Sequence, residues 1–207
     1  DSKPVESRVH LATSNRIPFE SHELSGLFSD CDSEMVSSSL DEGHSVLGVA
    51  LPGFSGRLGK KKATENGAQL PRLGRELASA AKLAGVLGIF HSDELPSYGI
   101  GSAEVDAVRK EMSLSERDAF VLCVAPRWQG ELALESVVYR ARMAFHRIPQ
   151  EVRNVVIRKG KPEDGTTTAL RPLPGGARMY PETDIPILGI SSDRWNSICE
   201  NLPLTAQ

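Results

Sequence analysis

Alternation between two kinds of apolar pattern is the feature that most constrains the fold of this chain. Residues 72–84 carry leucine and alanine at helical spacing, whereas residues 120–125 form a short, continuous apolar stretch typical of a buried strand. Helices are predicted over 72–84, 102–112 and 130–147, and strands over 86–91, 120–125, 155–157 and 166–171. This order predicts a two-layer α+β domain in which helices cover one face of a sheet.

The segments on either side have a different composition. Residues 1–56 hold one short predicted strand over 46–51 and are interpreted as a connector, followed by the α+β domain over 57–170. Residues 171–190 contain four prolines and no regular element is expected there, whereas residues 191–207 begin a capped helix. The chain starts at Asp1 without a leader and ends shortly after a helix starts. It is therefore expected to be a piece of a longer cytoplasmic protein.

Charge is distributed unevenly along the 207 residues. The net charge of −3 excludes a uniformly basic nucleic-acid-binding protein, but residues 57–161 carry 18 basic and 12 acidic side chains. No apolar stretch is long enough to predict a membrane helix. The three cysteines form no CxxC motif and are expected to be free thiols.

Two groups of cations are candidate RNA-binding residues. The first lies on and after a glycine-rich loop, and the second lies on or just after the predicted helix over 130–147. The candidates are Arg57, Lys60, Lys61, Lys62, Arg72, Arg75, Arg140, Arg142 and Arg147. Such side chains can follow a phosphate backbone without reading its sequence. The alternative is that the cations only keep a mobile loop and an exposed helix soluble.

Other motifs are open to more than one interpretation. His91, Asp93 and Glu94 follow a predicted strand and are spaced closely enough for a metal or acid–base site, although turn capping by Asp93 is the commoner outcome. No metal site is predicted. Trp128 either stacks on RNA or covers the start of its helix. The glycine-rich stretches lack the residues of phosphate-binding motifs.

The proline-rich stretch carries polar groups on a stiff backbone. These polar groups are Arg171, Arg178, Tyr180, Glu182 and Asp184. The two arginines beside two carboxylates could orient a phosphorylated or carboxylated substrate or Mg²⁺. A rigid linker with internal ion pairs would have the same composition. The residue pattern alone leaves both interpretations open.

Several long motifs resemble one family. These are the proline-rich stretch over 171–186, LPGFSG over 51–56, LGREL over 73–77 and GIFHSDELPSYGI over 88–100. Together they resemble the GatE family of archaeal glutamyl-tRNA(Gln) amidotransferase subunits, from about residue 40 to residue 202. In that family this region is an insertion similar to that of bacterial aspartyl-tRNA synthetases, the GAD domain, which implies an α+β fold.

The resemblance also implies an activity for the intact protein. It would use ATP and Mg²⁺ to phosphorylate the glutamyl group of Glu-tRNA(Gln), and ammonia from the asparaginase-like GatD subunit would then give Gln-tRNA(Gln). The implied partners are tRNA(Gln), GatD and a second copy of the intact protein, with no membrane. Most of the active site would lie in a cradle domain outside this chain. Arg178, Tyr180, Glu182 and Asp184 are the implied site-facing residues, and no catalytic residue or cofactor is predicted for the fragment by itself.

Three roles are compatible with these observations. The fragment is predicted to help hold the acceptor arm of tRNA without being catalytic alone. Alternatively, it is a spacer or protein-interaction module without RNA contact. The third alternative is the corresponding insertion of an aspartyl-tRNA synthetase, in which class II catalytic motifs would follow the domain.

Overall fold

The structure is a computed structural model that describes residues 17–63, 69–70, 72–145, 151–157, 167–172 and 189–201. The chain divides into two units, residues 1–172 and residues 173–207. In chain order the elements are β1 (Ser21–Glu23), a 3-10 turn (Ser25–Leu27), α1 (Glu34–Asp41), β2 (Ser45–Leu51), β3 (Lys62–Ala63), β4 (Gln69–Leu70), α2 (Leu73–Lys82), β5 (Phe90–His91), α3 (Ser102–Glu111), β6 (Ala119–Ala125), α4 (Arg127–Ala144), β7 (Glu151–Val155), β8 (Thr167–Pro172) and α5 (Ser192–Glu200).

A four-stranded antiparallel sheet organises the first unit. Its strand order is β1-β2-β6-β5, and the pairs β3-β4 and β7-β8 form two small separate ribbons. All seven residues of β2 pair with β6, and the register places Leu47 opposite Cys123. The apolar stretches at 46–51 and 120–125 therefore form the centre of the sheet, where all of their β-branched and large apolar side chains except the partly buried Val124 are buried.

Helices cover both faces of this sheet. Leu47 and Val121 contact the core beneath α2 and α4, whereas Val46 and Phe120 contact the core beneath α1, α3 and the 3-10 turn. Side chains alternate between the faces of a strand, and both faces of the central strands are apolar, so each face needs a cover. The α+β class is thus confirmed, but the helices are not confined to one face as the sequence pattern suggested.

The element boundaries refine the predictions. The predicted helix over 130–147 begins at Arg127, and the predicted strand over 86–91 is reduced to Phe90–His91. The boundary predicted at residue 57 falls inside one sheet, because β1 and β2 precede it and pair with each other and with β6. Residues 17–56 are therefore part of the domain core and do not act only as a connector.

The described part of the second unit, residues 189–201, consists of α5 and the few residues on either side of it. In α5 the Ser191 side chain accepts a hydrogen bond from the Arg194 amide at 3.4 Å, as expected of an N-cap serine. The predicted capped helix is therefore confirmed.

Candidate functional site

A single carboxylate holds the glycine-rich loop that carries the first group of cations. Asp93 Oδ1 accepts from the Gly56 amide at 2.9 Å, and Asp93 Oδ2 accepts from the amides of Leu58 at 2.7 Å and Gly59 at 3.1 Å. Three amide donors on one carboxylate fix the loop backbone, since hydrogen bonds to a charged acceptor are the stronger kind. The capping role predicted for Asp93 therefore extends to a loop 34–37 residues earlier in the chain.

The loop presents its cations to solvent. Arg57, Lys60 and Lys61 are exposed, while Leu58 between them is buried in the core. The backbone of Lys62 lies in β3, and its side chain is outside the described part of the structure. The basic loop thus has a fixed apolar anchor and outward-facing charges.

Two further cations stand next to this loop at the start of α2. The Gly74 amide donates to the Leu58 carbonyl oxygen at 2.9 Å, which attaches the first turn of α2 to the loop. Arg72 and Arg75 stand at this turn and line a cavity of about 570 Å³, together with Leu58 and Gly59. We call Arg57, Lys60, Lys61, Arg72 and Arg75 the basic surface.

His91 lies beneath this surface and is 7% exposed. Its Nε2 is 3.5 Å from Glu94 Oε2, and its Nδ1 has no hydrogen-bond partner within the described ranges. A Cβ on Gly74 would lie 2.4 Å from His91 Nε2, so the glycine makes room for the imidazole against α2. His91 therefore packs against the first turn of α2 at Gly74. The described residues contain no group of three or more His, Cys, Asp or Glu that could hold a metal.

The second group of predicted RNA-binding cations has a different environment. Arg140 Nη2 is 2.5 Å from Glu76 Oε2, and Arg140 Nη1 is 2.5 Å from Glu151 Oε2. Arg153 Nη2 is 3.0 Å from Glu76 Oε1, and its Nη1 pairs with Glu151 Oε1. These four side chains are only 4–15% exposed and connect α2, α4 and β7. We call them the four-residue ion-pair cluster.

Within the cluster, Arg140 and Glu151 stabilise each other's charged form. The hydrogen bond from Arg140 lowers the pKa of Glu151 against the opposing effect of burial. Conversely, the hydrogen bond to Glu151 raises the pKa of Arg140. The positive charge of Arg140 is therefore balanced by Glu76 and Glu151. The neighbouring Arg142 donates a hydrogen bond from Nε to the Ile17 carbonyl oxygen at 2.9 Å. Both arginines therefore have structural contacts, and Arg147 lies outside the described residues.

Sequence reasoning did not single out Glu76 and Glu151 as partners of these arginines. Glu76 lies on the predicted apolar side of α2, three residues after Leu73 and four before Ala80. A carboxylate at the border of an apolar stripe is a signal for a partly buried ion pair, because burial of an unpaired charge is costly. The pairing with Arg140, 64 residues away, has no sequence signal.

Other predicted residues are placed only in part. Trp128 lies in the first turn of α4 and is 68% exposed, so it does not cover the helix start. Arg178, Tyr180, Glu182 and Asp184 lie outside the described residues. The three cysteines are free, as predicted, with Cys31 and Cys123 buried and Cys199 exposed. No helix within the described ranges is both long and apolar enough to cross a membrane.

Comparison with known proteins identifies relatives of this chain. No family model matches the chain. It is 42% identical over 193 residues to the GatE subunit of the glutamyl-tRNA(Gln) amidotransferase of Methanopyrus kandleri, covering 93% of this chain and 28% of that protein. The chain is therefore related to part of GatE. The GatE sequences of Pyrococcus furiosus (43% identity, 96% of this chain, 30% of that protein) and Methanosarcina acetivorans (41%, 86% and 26%) agree with this.

The resemblance to GatE predicted from the motifs is confirmed by these relatives. The chain spans less than a third of the length of each of the three. The similarity thus concerns one segment of a larger protein.

Proposed function

We propose that this chain is a segment of a tRNA-dependent amidotransferase of the GatE type that converts Glu-tRNA(Gln) to Gln-tRNA(Gln) in the cytoplasm. The similarity to three archaeal GatE sequences supports this proposal. The intact protein would activate the glutamyl carboxylate with ATP and Mg²⁺, self-associate, and receive ammonia from the asparaginase-like GatD subunit. Activation is needed because a free carboxylate is a poor acyl donor.

The role of the segment is to bind the phosphate backbone of tRNA(Gln) near the acceptor arm through the basic surface. The observation that carries this proposal is the fixed position of the loop cations. Asp93 holds the loop backbone, and the Gly74–Leu58 hydrogen bond joins it to the first turn of α2. Cations on a fixed backbone lose less conformational entropy when they meet phosphates than cations on a mobile loop.

The unbalanced charge of the basic surface separates it from the second group of arginines. Arg72 and Arg75 have no ion-pair partner among the residues that the structure describes, whereas Arg140 is paired with two carboxylates. A cation that is already neutralised has little charge to offer a phosphate. We therefore assign RNA binding to the basic surface and a structural role to Arg140 and Arg142.

The segment is proposed to have no catalytic activity of its own. The ATP- and Mg²⁺-dependent chemistry is assigned to the rest of the intact protein.

Titration with tRNA at two salt concentrations tests the proposal. Fluorescence anisotropy with a labelled tRNA(Gln) transcript should show binding that weakens at least about tenfold between about 50 and 200 mM salt, because each neutralised phosphate releases counterions. The double variant Lys60→Glu/Lys61→Glu should bind about tenfold more weakly at the lower salt concentration.

A matched pair of substitutions controls for net charge. Lys82→Glu/Lys110→Glu makes the same charge change at two exposed lysines outside the basic surface, and should leave the affinity within about twofold. Equal loss in both double variants would reject the basic surface as the binding site. Absence of binding at low salt would favour a spacer or protein-interaction module.

A further inference from the structure

The cavity beside the basic surface lies where the short edge strand β5 ends and leaves part of β6 without a neighbouring strand. Strand β6 has seven residues, whereas its neighbour β5 has only the two residues Phe90 and His91. On the N-terminal side of Phe90, Leu87 and Gly88 are not part of the sheet. A cavity of about 570 Å³ lies beside these two residues, and Val124 of β6 is among the residues that line it. Pockets of this volume are typical of small-ligand sites.

The uncovered part of β6 offers one backbone donor and one acceptor. The Ser92 amide donates to the Phe120 carbonyl oxygen at 3.0 Å, so the even-numbered residues of β6 direct their backbone groups toward β5. Leu122 faces Phe90, and the next such residue, Val124, has no strand partner on this edge within the described ranges. Its N–H and C=O therefore form an adjacent donor and acceptor at the cavity.

The cavity is lined by two arginines and two carboxylates, and the carboxylates already have partners within the domain. Asp93 is occupied by three amides, and Glu94 lies 3.5 Å from His91 Nε2. Arg72 and Arg75 have no ion-pair partner in the part of the chain that the structure describes. Each of these two guanidinium groups is therefore available to pair with a phosphate of a ligand.

An aromatic ring is held at the same cavity by a strained turn. Tyr98 has φ +60° and Gly99 has φ +79°, a two-residue turn in which both residues are left-handed. A bulky residue is unusual at such a position, where asparagine, aspartate or glycine is preferred. The Tyr98 side chain is nevertheless 63% exposed, and its ring centroid lies 5.6 Å from that of Phe90.

The backbone beside Tyr98 packs against the residues that precede α1. A Cβ on Gly99 would lie 2.6 Å from the Asp32 carbonyl oxygen, just before α1. The turn is therefore pressed against the start of α1. Backbone strain of this kind persists only where surrounding contacts enforce it, and it concentrates at ligand sites.

We propose that this cavity binds one unpaired nucleotide of single-stranded RNA. Tyr98 stacks on the base, Val124 N–H and C=O hydrogen-bond the base edge, and Arg72 and Arg75 contact the adjoining phosphates. The inference rests on the proposed function, since it specifies what part of an RNA the basic surface brings to the cavity. An added peptide strand is less favoured because this edge offers it the backbone of only one residue.

Substitutions at Tyr98 test the stacking contact. With a fluorescein-labelled single-stranded hexaribonucleotide, Tyr98→Asn should bind about tenfold more weakly, because a stacked base is lost. Asparagine tolerates the left-handed turn, so this variant should remain folded. Tyr98→Phe keeps the ring and should bind within about twofold of the original chain. Unchanged affinity in Tyr98→Asn would overturn the proposal.

A second readout locates the base without depending on mutation. In an NMR titration of the chain with the hexaribonucleotide, the Val124 amide resonance should shift to saturation together with the binding curve. An unperturbed Val124 amide would overturn the proposal. Displacement of the oligonucleotide by AMP or inorganic phosphate at equal concentration would also overturn it, because the site would then recognise a free nucleotide or a phosphate ion.

The failure of this inference differs from the failure of the proposed function. If tRNA binding depends on Lys60 and Lys61 but not on Tyr98, the cavity is not a nucleotide site, although the basic surface still binds RNA. If neither tRNA nor the oligonucleotide binds at low salt, both proposals fail.

Discussion

The Leu58 amide donates a hydrogen bond of 2.7 Å to the carboxylate of Asp93, 35 residues further along the chain. This contact joins the loop that carries Arg57 and Lys60 to the segment that follows β5. It makes the position of the basic surface depend on one acidic side chain.

Replacing Asp93 should therefore weaken both folding and RNA binding. Asp93→Asn keeps the size of the side chain but removes the charge and one acceptor oxygen. We expect a loss of about 1–3 kcal/mol in the free energy of unfolding, because up to three loop amides lose part of their hydrogen bonding. Urea unfolding measures this loss. Asp106→Asn, at an exposed position of α3, is the control, and an equal effect of both variants would contradict the assigned role.

Acidification should destabilise the domain through the ion-pair cluster. The pKa of Glu151 is lowered in the folded state by its hydrogen bond to Arg140, against the effect of burial. The stabilisation is thus present above the unfolded pKa, about 4.3, and is lost as the pH falls through the lower folded pKa.

Glu151→Gln isolates this contribution. It should lower the free energy of unfolding by about 2 kcal/mol at pH 7 and show a flatter decline below about pH 5 than the original chain. Unfolding curves collected from pH 7 to pH 3 measure the difference. Parallel pH profiles for the two proteins would be inconsistent with a depressed pKa at Glu151.

A methyl group at Gly74 should clash with His91. The Cβ of Gly74→Ala would lie 2.4 Å from His91 Nε2 and 3.1 Å from the Leu58 carbonyl oxygen. Alanine is favoured over glycine inside a helix by about 1 kcal/mol, but the clash should outweigh this and give a net loss of about 1–3 kcal/mol. The melting temperature reports the change. Gly26→Ala, which meets no atom within 4 Å, should have a much smaller effect, and stabilisation of Gly74→Ala would show that His91 is free to move.

The cysteines should differ sharply in reactivity. Burial raises the pKa of the Cys123 thiol to about 11, so almost no thiolate forms near pH 8. Cys199 is exposed. Iodoacetamide at pH 8 should therefore modify Cys199 in the folded chain and reach Cys123 only after denaturant is added, as measured by peptide mass spectrometry. Equal labelling of the two thiols without denaturant would contradict the burial of β6.

Local patterns predicted most elements because each pattern depends on neighbouring residues. The apolar stripe of Leu134, Val137, Val138 and Ala141 is buried as expected. Gly85, with φ +87°, lies in the turn that follows α2, three residues after Lys82. The strand predicted over 86–91 was too long, because an apolar stretch can be buried in a turn as well as in a strand. Val86 is buried in the core without being in the sheet.

The candidate site was predictable only in outline. The lysines after the glycine-rich loop were visible as a basic stretch, and the motif over 88–100 contributed to the resemblance with GatE. Nothing local distinguishes Arg75, at the cavity, from Arg140, which is paired with Glu76 and Glu151. Both residues are arginines in the sequence, and the carboxylates that pair with Arg140 lie 11 and 64 positions away along the chain.

The sequence by itself determined the α+β class, the main helices, the central strands and the relationship to GatE, because apolar periodicity and long motifs are local properties of the chain. Only the tertiary structure decided that helices cover both faces of the sheet and that β5 ends beside Val124. It also decided that Arg72 and Arg75 remain available while Arg140 does not. These features arise from contacts between distant segments, in which burial and charge balance select the partner.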